Sequence, residues 1–218
     1  MNSNLGRFEA IIFDMDGTLT QEVSSWAYLH SHFGTNLEAR KNLDEYSNWK
    51  ISYAEFMRRD ISLWPRPLKI SEVERLLQGV QVSTGARELI EFLSPRLKCL
   101  VISAGIDLLA DRIARALGIK NSVANGLEFN ETGTLTGQGI ERVPLNGKAA
   151  AAKSLLQKEE VDWNRCIAVG DSHYDRDLLQ SAGLSVSVGK DAKLMEMAML
   201  RVSGLEKLLE IISKLQFG

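Results

Sequence analysis

Two pairs of aspartates follow two separate apolar runs of the sequence. Asp14 and Asp16 come directly after one run, and Asp171 and Asp175 follow another. Carboxylates gathered in one place repel one another unless a cation or a shared proton relieves them. Carboxylate oxygens suit Mg2+, which usually takes one or two of them together with waters and substrate phosphate. The sequence therefore predicts a magnesium site wherever these two segments meet.

A lysine and a serine add groups that can hold a phosphate. Lys148 opens a helical pattern after Asn146 and Gly147, and Ser103 ends a third apolar run. A hydroxyl, an ammonium and backbone amides at a helix N-terminus together favour a phosphate dianion. With a metal and a carboxylate nucleophile nearby, this set is what aspartate-based phosphoryl transfer requires.

The elements that must position these side chains can be recognised from the apolar pattern. Three short apolar runs are typical of strands buried on both faces of a parallel sheet: residues 9–13, 99–102 and 166–170. Helical patterns alternate with them, which predicts an α/β fold with a doubly wound, mostly parallel, Rossmann-like sheet. Ligands bind beyond the carboxyl ends of such strands, so we expect Asp14, Ser103 and Asp171 to meet in one crevice.

The first two strands are separated by about 80 residues, far more than one crossover helix needs. We therefore divide the chain into an α/β catalytic core, residues 1–19 and 84–218, and an inserted helical cap, residues 20–83. Matches to the capping box at residues 52–55 and 71–74 predict two of about four cap helices.

Other features of the insert and its surroundings lead to three smaller predictions. Gly34 suits the C-terminus of a cap helix. Residues 127–136 form a hairpin pattern that we expect to extend the sheet edge. Three of the four tryptophans lie in the insert and predict a small core of its own: Trp26, Trp49 and Trp64.

Composition excludes several classes of protein. The 218 residues carry a net charge of −2, which argues against a nucleic-acid partner. No apolar run approaches the roughly 20 residues of a membrane span, so no membrane partner is expected. Cys99 and Cys166 lie in apolar runs and are expected to be buried free thiols, which suits a cytoplasmic location. Whether the protein is a monomer or a homodimer is left open.

Taken in order, these motifs resemble a known family. The segment D-M-D-G-T-L-T at residues 14–20, then Ser103, then Lys148, then G-D-S-H-Y-D at residues 170–175 is similar to the haloacid dehalogenase-like superfamily of phosphotransferases. The resemblance covers the whole chain. A helical insert directly after the first motif looks like the C1-type cap of the phosphoserine phosphatase-like branch.

The resemblance implies a role for each matching residue. Asp14 would be the nucleophile that becomes an aspartyl phosphate, and Asp16 would protonate the leaving oxygen and then activate water. Asp171 would ligate Mg2+ together with Asp14 and the Asp16 backbone carbonyl. Asp175 would orient Lys148 or a metal-bound water. The residues that would bind the phosphoryl group are Asp14, Gly17, Thr18, Ser103, Ala104, Gly105 and Lys148.

The implied activity is Mg2+-dependent hydrolysis of a small phosphorylated metabolite. A phosphotransferase or phosphomutase of the same superfamily, and a non-enzymatic phospho-acceptor domain, are the alternatives. Arg58 matches the cap arginine that meets the substrate carboxylate in phosphoserine phosphatases. Val23 stands where those enzymes have a glutamate for the substrate amine, Glu22 is the nearest acid, and Tyr174 replaces an asparagine. We therefore expect phosphoserine to be a poor substrate.

The three histidines provide little further evidence. His30 and His32 are two residues apart, so they cannot share a helix face, and we do not expect them to bind a metal. His173 lies two residues after Asp171. Whether His173 or Glu22 contacts the substrate is left open.

Overall fold

The computed structural model describes residues 6–214, which contain a seven-stranded sheet with the order β4-β3-β2-β1-β5-β6-β7. Within this part of the chain, β4 alone runs antiparallel to its neighbour. The predicted doubly wound, mostly parallel sheet is therefore confirmed, and two further strands at one edge were not predicted. The strands are β1 (Ala10–Phe13), β2 (Lys98–Ile106), β3 (Asn121–Phe129), β4 (Leu135–Ile140), β5 (Cys166–Gly170), β6 (Leu184–Val188) and β7 (Leu200–Val202).

Helices cover both faces of this sheet, so alternate residues of β1 enter different cores. Ile11 and Phe13 pack into the larger core, and Ala10 and Ile12 into the smaller one, all fully buried. A strand with no polar face explains the continuous apolar run in the sequence. The helices around the sheet are α5 (Ala86–Leu93), α6 (Asp107–Leu117), α7 (Lys148–Lys158), α8 (Arg176–Ser181), α9 (Ala192–Met197) and α10 (Leu205–Ser213).

The strand register brings the motifs together. Phe13 pairs with Val101 of β2 on one side and with Val169 of β5 on the other. The Asp14 amide then donates to the Val169 carbonyl at 2.9 Å. Residues that directly follow Phe13 and Val169 therefore emerge side by side at the carboxyl edge of the sheet. Since β2 extends to residue 106, Ser103 lies inside the strand, and the prediction that the strand ends at Ser103 is wrong.

Four helices lie between β1 and α5: α1 (Ser25–Phe33), α2 (Asn36–Ser47), α3 (Tyr53–Ser62) and α4 (Ile70–Leu77). The chain enters and leaves this segment through two adjacent extended stretches. Gln21 N donates to Gln81 O at 3.0 Å, and Ser83 N donates to Leu19 O at 2.8 Å. These bonds support the predicted limits of the cap at residues 20 and 83, a division that stays a prediction. Among residues 6–214, no helix has both the length and the apolarity needed to cross a bilayer.

The helix ends agree with the sequence at two positions and differ at a third. Ser52 caps α3, its Oγ accepting from Glu55 N at 3.2 Å, and Gly34 ends α1 with a left-handed φ of 70°. The capping box predicted at residues 71–74 is wrong. Helix α4 begins two residues earlier, after Lys69, because Glu72 accepts the hydrogen bond from the Lys69 amide at 2.9 Å.

The cap core differs from the prediction in two ways. Trp26 and Trp64 are buried, with ring centroids 5.7 Å apart, but Trp49 is 82% exposed after the end of α2. In addition, the buried cap residues belong to the same continuous cluster as Phe13 of β1. The expectation of a separate core built on three tryptophans is therefore wrong, because the cap packs its apolar face onto the large core of the sheet.

The predicted hairpin is confirmed as the antiparallel pair β3–β4 at the sheet edge. It also supports the cap, which the sequence had not indicated. Leu135 N donates to Leu68 O at 2.8 Å, and Lys69 Nζ donates to Thr134 Oγ1 at 2.7 Å. A Cβ atom on Gly139 would lie 3.1 Å from the Met57 side chain, so α3 packs directly on β4.

Candidate active site

Asp14 and Lys148 form an ion pair at the carboxyl edge of the sheet. Asp14 is 2% exposed, and its Oδ1 accepts a hydrogen bond from Lys148 Nζ at 2.7 Å. Lys148, the first residue of α7, also donates to Asp175 Oδ1 at 2.5 Å. Burial by itself would lower the pKa of Lys148, but the charges of Asp14 and Asp175 raise it. A buried ammonium is thus held between carboxylates that follow two different strands.

The aspartates around this ammonium carry more negative charge than it can balance. Oxygens of Asp14, Asp171 and Asp175 all lie within 4.8 Å of one another. Burial, and then the charge of Asp175, raises the pKa of Asp14 well above its usual range. The same two causes raise the pKa of Asp171 to about 7. Such shifts indicate carboxylates that need another cation.

The local geometry fits Mg2+. Asp171 Oδ1 is buried and has no hydrogen-bond partner among the described residues. A Cβ atom at residue 17 would lie 2.3 Å from Asp171 Oδ2, and Gly17 has a φ of +80°, so only glycine leaves Asp171 in place. Asp175 is already occupied, because its Oδ2 accepts from the amides of Asp171 and Ser172 at 3.1 Å. Asp14 and Asp171 are therefore the side chains that would hold the ion.

Asp16 contacts the start of the cap through its carboxylate. Its Oδ2 accepts from Ser25 N at 2.8 Å and from Ser25 Oγ at 2.7 Å. Burial raises the pKa of Asp16 to about 6 against the lowering effect of these two bonds. A carboxyl with this pKa can both hold and release a proton near neutral pH. Ser25 is a site residue that the sequence interpretation missed, although it lies only five residues after the predicted first motif.

The expected phosphate-binding groups divide into available and occupied donors. Ser103 is buried, and its Oγ accepts from Gly105 N at 3.0 Å, which leaves its hydroxyl hydrogen free to donate. Thr18 Oγ1 is also buried and lacks a partner within residues 6–214. Gly17 N, by contrast, already donates to Glu22 O at 2.7 Å. The amides of Gly17 and Gly105 therefore already have acceptors in this structure, and the binding of phosphate by these two residues stays a prediction.

Three donors converge on the carbonyl of Ala104 in the phosphate-binding segment. They are Trp26 Nε1 at 3.1 Å, Tyr53 Oη at 3.2 Å and Asn125 Nδ2 at 2.9 Å. Trp26 and Tyr53 belong to the cap, whereas Asn125 lies in β3 and is fully buried. The contacts connect the position of the cap to the segment that holds Ser103. Asn125 carries no motif, so the sequence offered no signal for it.

A cavity of about 340 Å³ lies between the sheet edge and the cap. Asp14, Asp16, Ser103 and Lys148 line its inner end together with Ala104 and Gly105. Its cap side is mainly apolar, with Leu43, Tyr53 and Phe56 among the lining side chains. The polar groups on that side come from α1, α2 and α3: His30, Asn36, Arg40 and Asp60.

Of the cap-side residues predicted to meet substrate, the structure brings Tyr174 to the cavity but not Arg58 or Glu22. Arg58 is 47% exposed and donates two hydrogen bonds to the Glu55 carboxylate, at 2.7 and 2.8 Å. Glu55 precedes Arg58 by one helical turn, so the two side chains form an ion pair on the exposed side of α3. Glu22 is exposed and contributes its backbone carbonyl to the turn at Gly17.

The histidines also separate in the structure. His173 is exposed, and its Nδ1 lies 3.2 Å from Asp191 outside the cavity. His30 is 1% exposed and lines the cavity from α1. The spacing of Trp26, Leu29 and His30 is that of one helix face, which is the signal that could have placed His30 inward.

The fold and the site define an α/β enzyme with a carboxylate–ammonium centre beneath a helical cap. The family of haloacid dehalogenase-like hydrolases matches residues 11–180 of the chain, a stretch that includes the four aspartates, Ser103 and Lys148. The chain belongs to this family.

Similar proteins point to one branch of it. The phosphoserine phosphatase of Archaeoglobus fulgidus is 29% identical over 190 residues, which are 86% of this chain and 54% of that protein. The phosphoserine phosphatase of Methanocaldococcus jannaschii is 27% identical over 81% of this chain and 83% of its own length. A solved phospho-aspartyl intermediate analogue of phosphoserine phosphatase superposes with a TM-score of 0.78 at 27% identity, covering 96% of this chain and 99% of that one. A substrate-bound phosphoserine phosphatase gives 0.79 at 26% identity, with the same coverage.

Proposed function

We propose that the protein is an Mg2+-dependent phosphomonoesterase that hydrolyses a small phosphorylated metabolite through an aspartyl-phosphate intermediate. The observation that carries the proposal is the buried contact of 2.7 Å between Asp14 Oδ1 and Lys148 Nζ beside Asp171. Similarity to phosphoserine phosphatases, including one solved as a phospho-aspartyl analogue, supports the same reaction class.

In the first step, a carboxylate oxygen of Asp14 attacks phosphorus. A bond forms between this oxygen and phosphorus while the bond to the leaving oxygen breaks, and Asp16 supplies the proton that the leaving oxygen needs. In the second step, Asp16 takes a proton from a water molecule that attacks the aspartyl phosphate. Inorganic phosphate is released and the Asp14 carboxylate is restored. The pKa of Asp16, about 6, suits both roles.

The remaining groups stabilise charge and position the phosphoryl group. Lys148 is a fixed cation beside the Asp14 oxygen, and Ser103 and Thr18 offer hydroxyl donors in a buried setting where they act strongly. Mg2+ held by Asp14 and Asp171 would neutralise phosphoryl charge and the repulsion between these carboxylates. Asp175 keeps Lys148 oriented through its Oδ1.

The substrate is proposed to be a phosphorylated metabolite other than phosphoserine. A zwitterion needs an acid for its amine, but Val23 lines the cavity where that acid would be expected. Glu22 is not among the lining residues. Comparing kcat/KM for phosphoserine with values for phosphorylated acids and sugars tests this. A clear lead for phosphoserine, lost in Glu22→Gln, would contradict it.

The reaction itself is tested with 4-nitrophenyl phosphate. The purified protein should hydrolyse it with Mg2+ and stop when EDTA removes the metal. Asp14→Asn should abolish turnover because an amide is not a nucleophile, whereas Asp44→Asn, an exposed aspartate on α2, should retain it. If Asp14→Asn kept more than about one hundredth of the wild-type kcat, equivalent to under ~3 kcal/mol of barrier, the covalent route would be wrong.

We also propose a cytoplasmic location and a monomeric or homodimeric state. The two free thiols, Cys99 and Cys166, support a reducing compartment. Cell fractionation and light scattering of the purified protein test these two points.

A further inference from the structure

We propose that Arg40, on the cap helix α2, pairs with a carboxylate carried by the leaving group of the substrate. The inference rests on the proposed phosphatase function and names its substrate class. The substrate is then a phosphomonoester of a hydroxy acid or a phenolic acid, with its phosphate at Asp14 and its carboxylate toward the cap.

Arg40 is the cation that the cavity offers to a substrate on its cap side. Within residues 6–214, the cavity is lined by two long basic side chains, Arg40 and Lys148. Lys148 is held at the inner end by Asp14 and Asp175. Arg40 makes no hydrogen bond or ion pair with any described residue, and its guanidinium is free to bind. A guanidinium binds a carboxylate through two parallel hydrogen bonds.

The two arginines of α3 are occupied by the protein itself. Arg58 pairs with Glu55, and Arg59 pairs with both Glu55 and Glu45 at 2.7 and 2.6 Å. These contacts lie outside the cavity lining. Arg40 is therefore placed to take the role that the resemblance implies for Arg58.

Charge complementarity selects a single negative group without an accompanying amine. On the cap side, Asp60 is the lining acid among the described residues. It is 2% exposed, its Oδ1 accepts from Asn42 Nδ2 at 2.8 Å, and its Oδ2 lies 3.2 Å from His30 Nε2. Both of its carboxylate oxygens thus already have neighbours inside the cap. One free guanidinium matches one carboxylate.

The contacts of Asp60 also fix the part of α2 that carries Arg40, an exposed residue on the cavity lining. His30, Asn42 and Asp60 come from α1, α2 and α3, so their network ties three cap helices together. Trp64 Nε1 can only donate, and it lies 3.2 Å from His30 Nδ1, which is therefore an acceptor. The ring proton is then on Nε2, facing Asp60. Asn42 is two residues from Arg40, so the network sets the position of that part of α2.

The experiment compares two substrates that differ by one carboxylate: phenyl phosphate and 4-carboxyphenyl phosphate. The measured quantity is the ratio of their kcat/KM values in each variant, because their intrinsic reactivities cancel between variants. Arg40→Gln should lower the carboxylate preference by about ten- to a hundredfold, the effect of losing one charge-assisted pair. Arg40→Lys should keep part of the preference, and Arg58→Gln, the matched control, should keep all of it.

A binding measurement separates this inference from the proposed function. Trp26 lines the cavity, so its fluorescence can report binding of benzylphosphonate and 4-carboxybenzylphosphonate, which cannot be hydrolysed. If the wild type hydrolyses neither phosphate with Mg2+, the proposed function fails, while the two phosphonates still test Arg40. The inference is overturned if Arg40→Gln leaves the carboxylate preference unchanged in binding, or if Arg58→Gln removes it.

Discussion

Asp16 and Ser25 are joined by two hydrogen bonds to a single carboxylate oxygen, one from the Ser25 amide at 2.8 Å and one from its hydroxyl at 2.7 Å. The hydroxyl in turn accepts from Ile106 N at 3.1 Å, so the first residue of α1 bridges Asp16 and the end of β2. A Cβ atom at Gly105 would lie 2.5 Å from Asp16 Oδ2, so the close approach requires glycine there. Asp16 Oδ1 has no partner among the described residues and stays available.

Ser25→Ala should therefore impair proton transfer more than binding. We expect kcat/KM to fall about tenfold or more for phenyl phosphate, whose leaving oxygen needs a proton, and much less for 4-nitrophenyl phosphate, whose leaving group departs as an anion. Steady-state kinetics on both substrates measure the difference. Ser31→Ala, an exposed serine on the same helix, should change neither value. Equal losses on both substrates would show that Ser25 does not act through Asp16.

Gly17→Ala should weaken the binding of Mg2+. The added methyl would lie 2.3 Å from Asp171 Oδ2, so Asp171 must move. We expect the Mg2+ concentration for half-maximal activity to rise at least about tenfold, since ligand geometry for Mg2+ is demanding. Gly34→Ala is the matched control, because Gly34 also has a positive φ, of 70°, but no atom within 4 Å of the added Cβ. An unchanged Mg2+ dependence in an active Gly17→Ala protein would refute the assignment of Asp171.

Asn125→Ala should destabilise the fold and loosen the phosphate-binding segment. Asn125 is fully buried, donates to Ala104 O and Val143 O, and accepts from Arg142 N and Val143 N. Leaving several of these groups unpaired should lower the free energy of unfolding by about 2–4 kcal/mol. Urea denaturation measures this, and KM for an aryl phosphate should rise as Ala104 loses a donor.

The control for this variant is Asn48→Ala, whose side chain is exposed and bonds only within its own helix end. It should change stability by no more than ~0.5 kcal/mol. A loss at Asn125 as small as the loss at Asn48 would mean that the buried network carries little stability.

The cysteines give a prediction that depends on pH. Burial raises the pKa of both Cys99 and Cys166 to about 12. The reactive thiolate is then scarce at pH 8 in the folded protein, so alkylation by iodoacetamide should be on the order of a thousandfold slower than for a free thiol. Labelling followed by mass spectrometry, with and without urea, tests this. Cys166 is buried and Cys99 is partly buried, so rapid labelling of the folded protein at pH 8 would contradict the raised pKa of these thiols.

The arrangement of the catalytic centre follows from local sequence patterns. Apolar runs that end at Phe13 and Gly170 predict parallel strands, and parallel strands present their carboxyl ends at one edge. That rule brings Asp14, Ser103 and Asp171 together whatever the details of packing, whereas Lys148 begins a helix and is not covered by it. The resemblance to a family of known chemistry includes the same residues. In the structure, Asp14 contacts Lys148 and lies close to Asp171.

The positions of the cap arginines depend on tertiary packing instead. Arg58 and Arg40 are both cap arginines in the sequence, and only the three-dimensional arrangement shows that Glu55 holds the first while the second lines the cavity. Asn125 lies far from Ala104 and Tyr53 along the chain, so its bonds to them cannot be read from any local spacing. The end of a buried strand is visible in the sequence as the end of an apolar run. Side-chain partners depend instead on how separate helices and strands pack against one another.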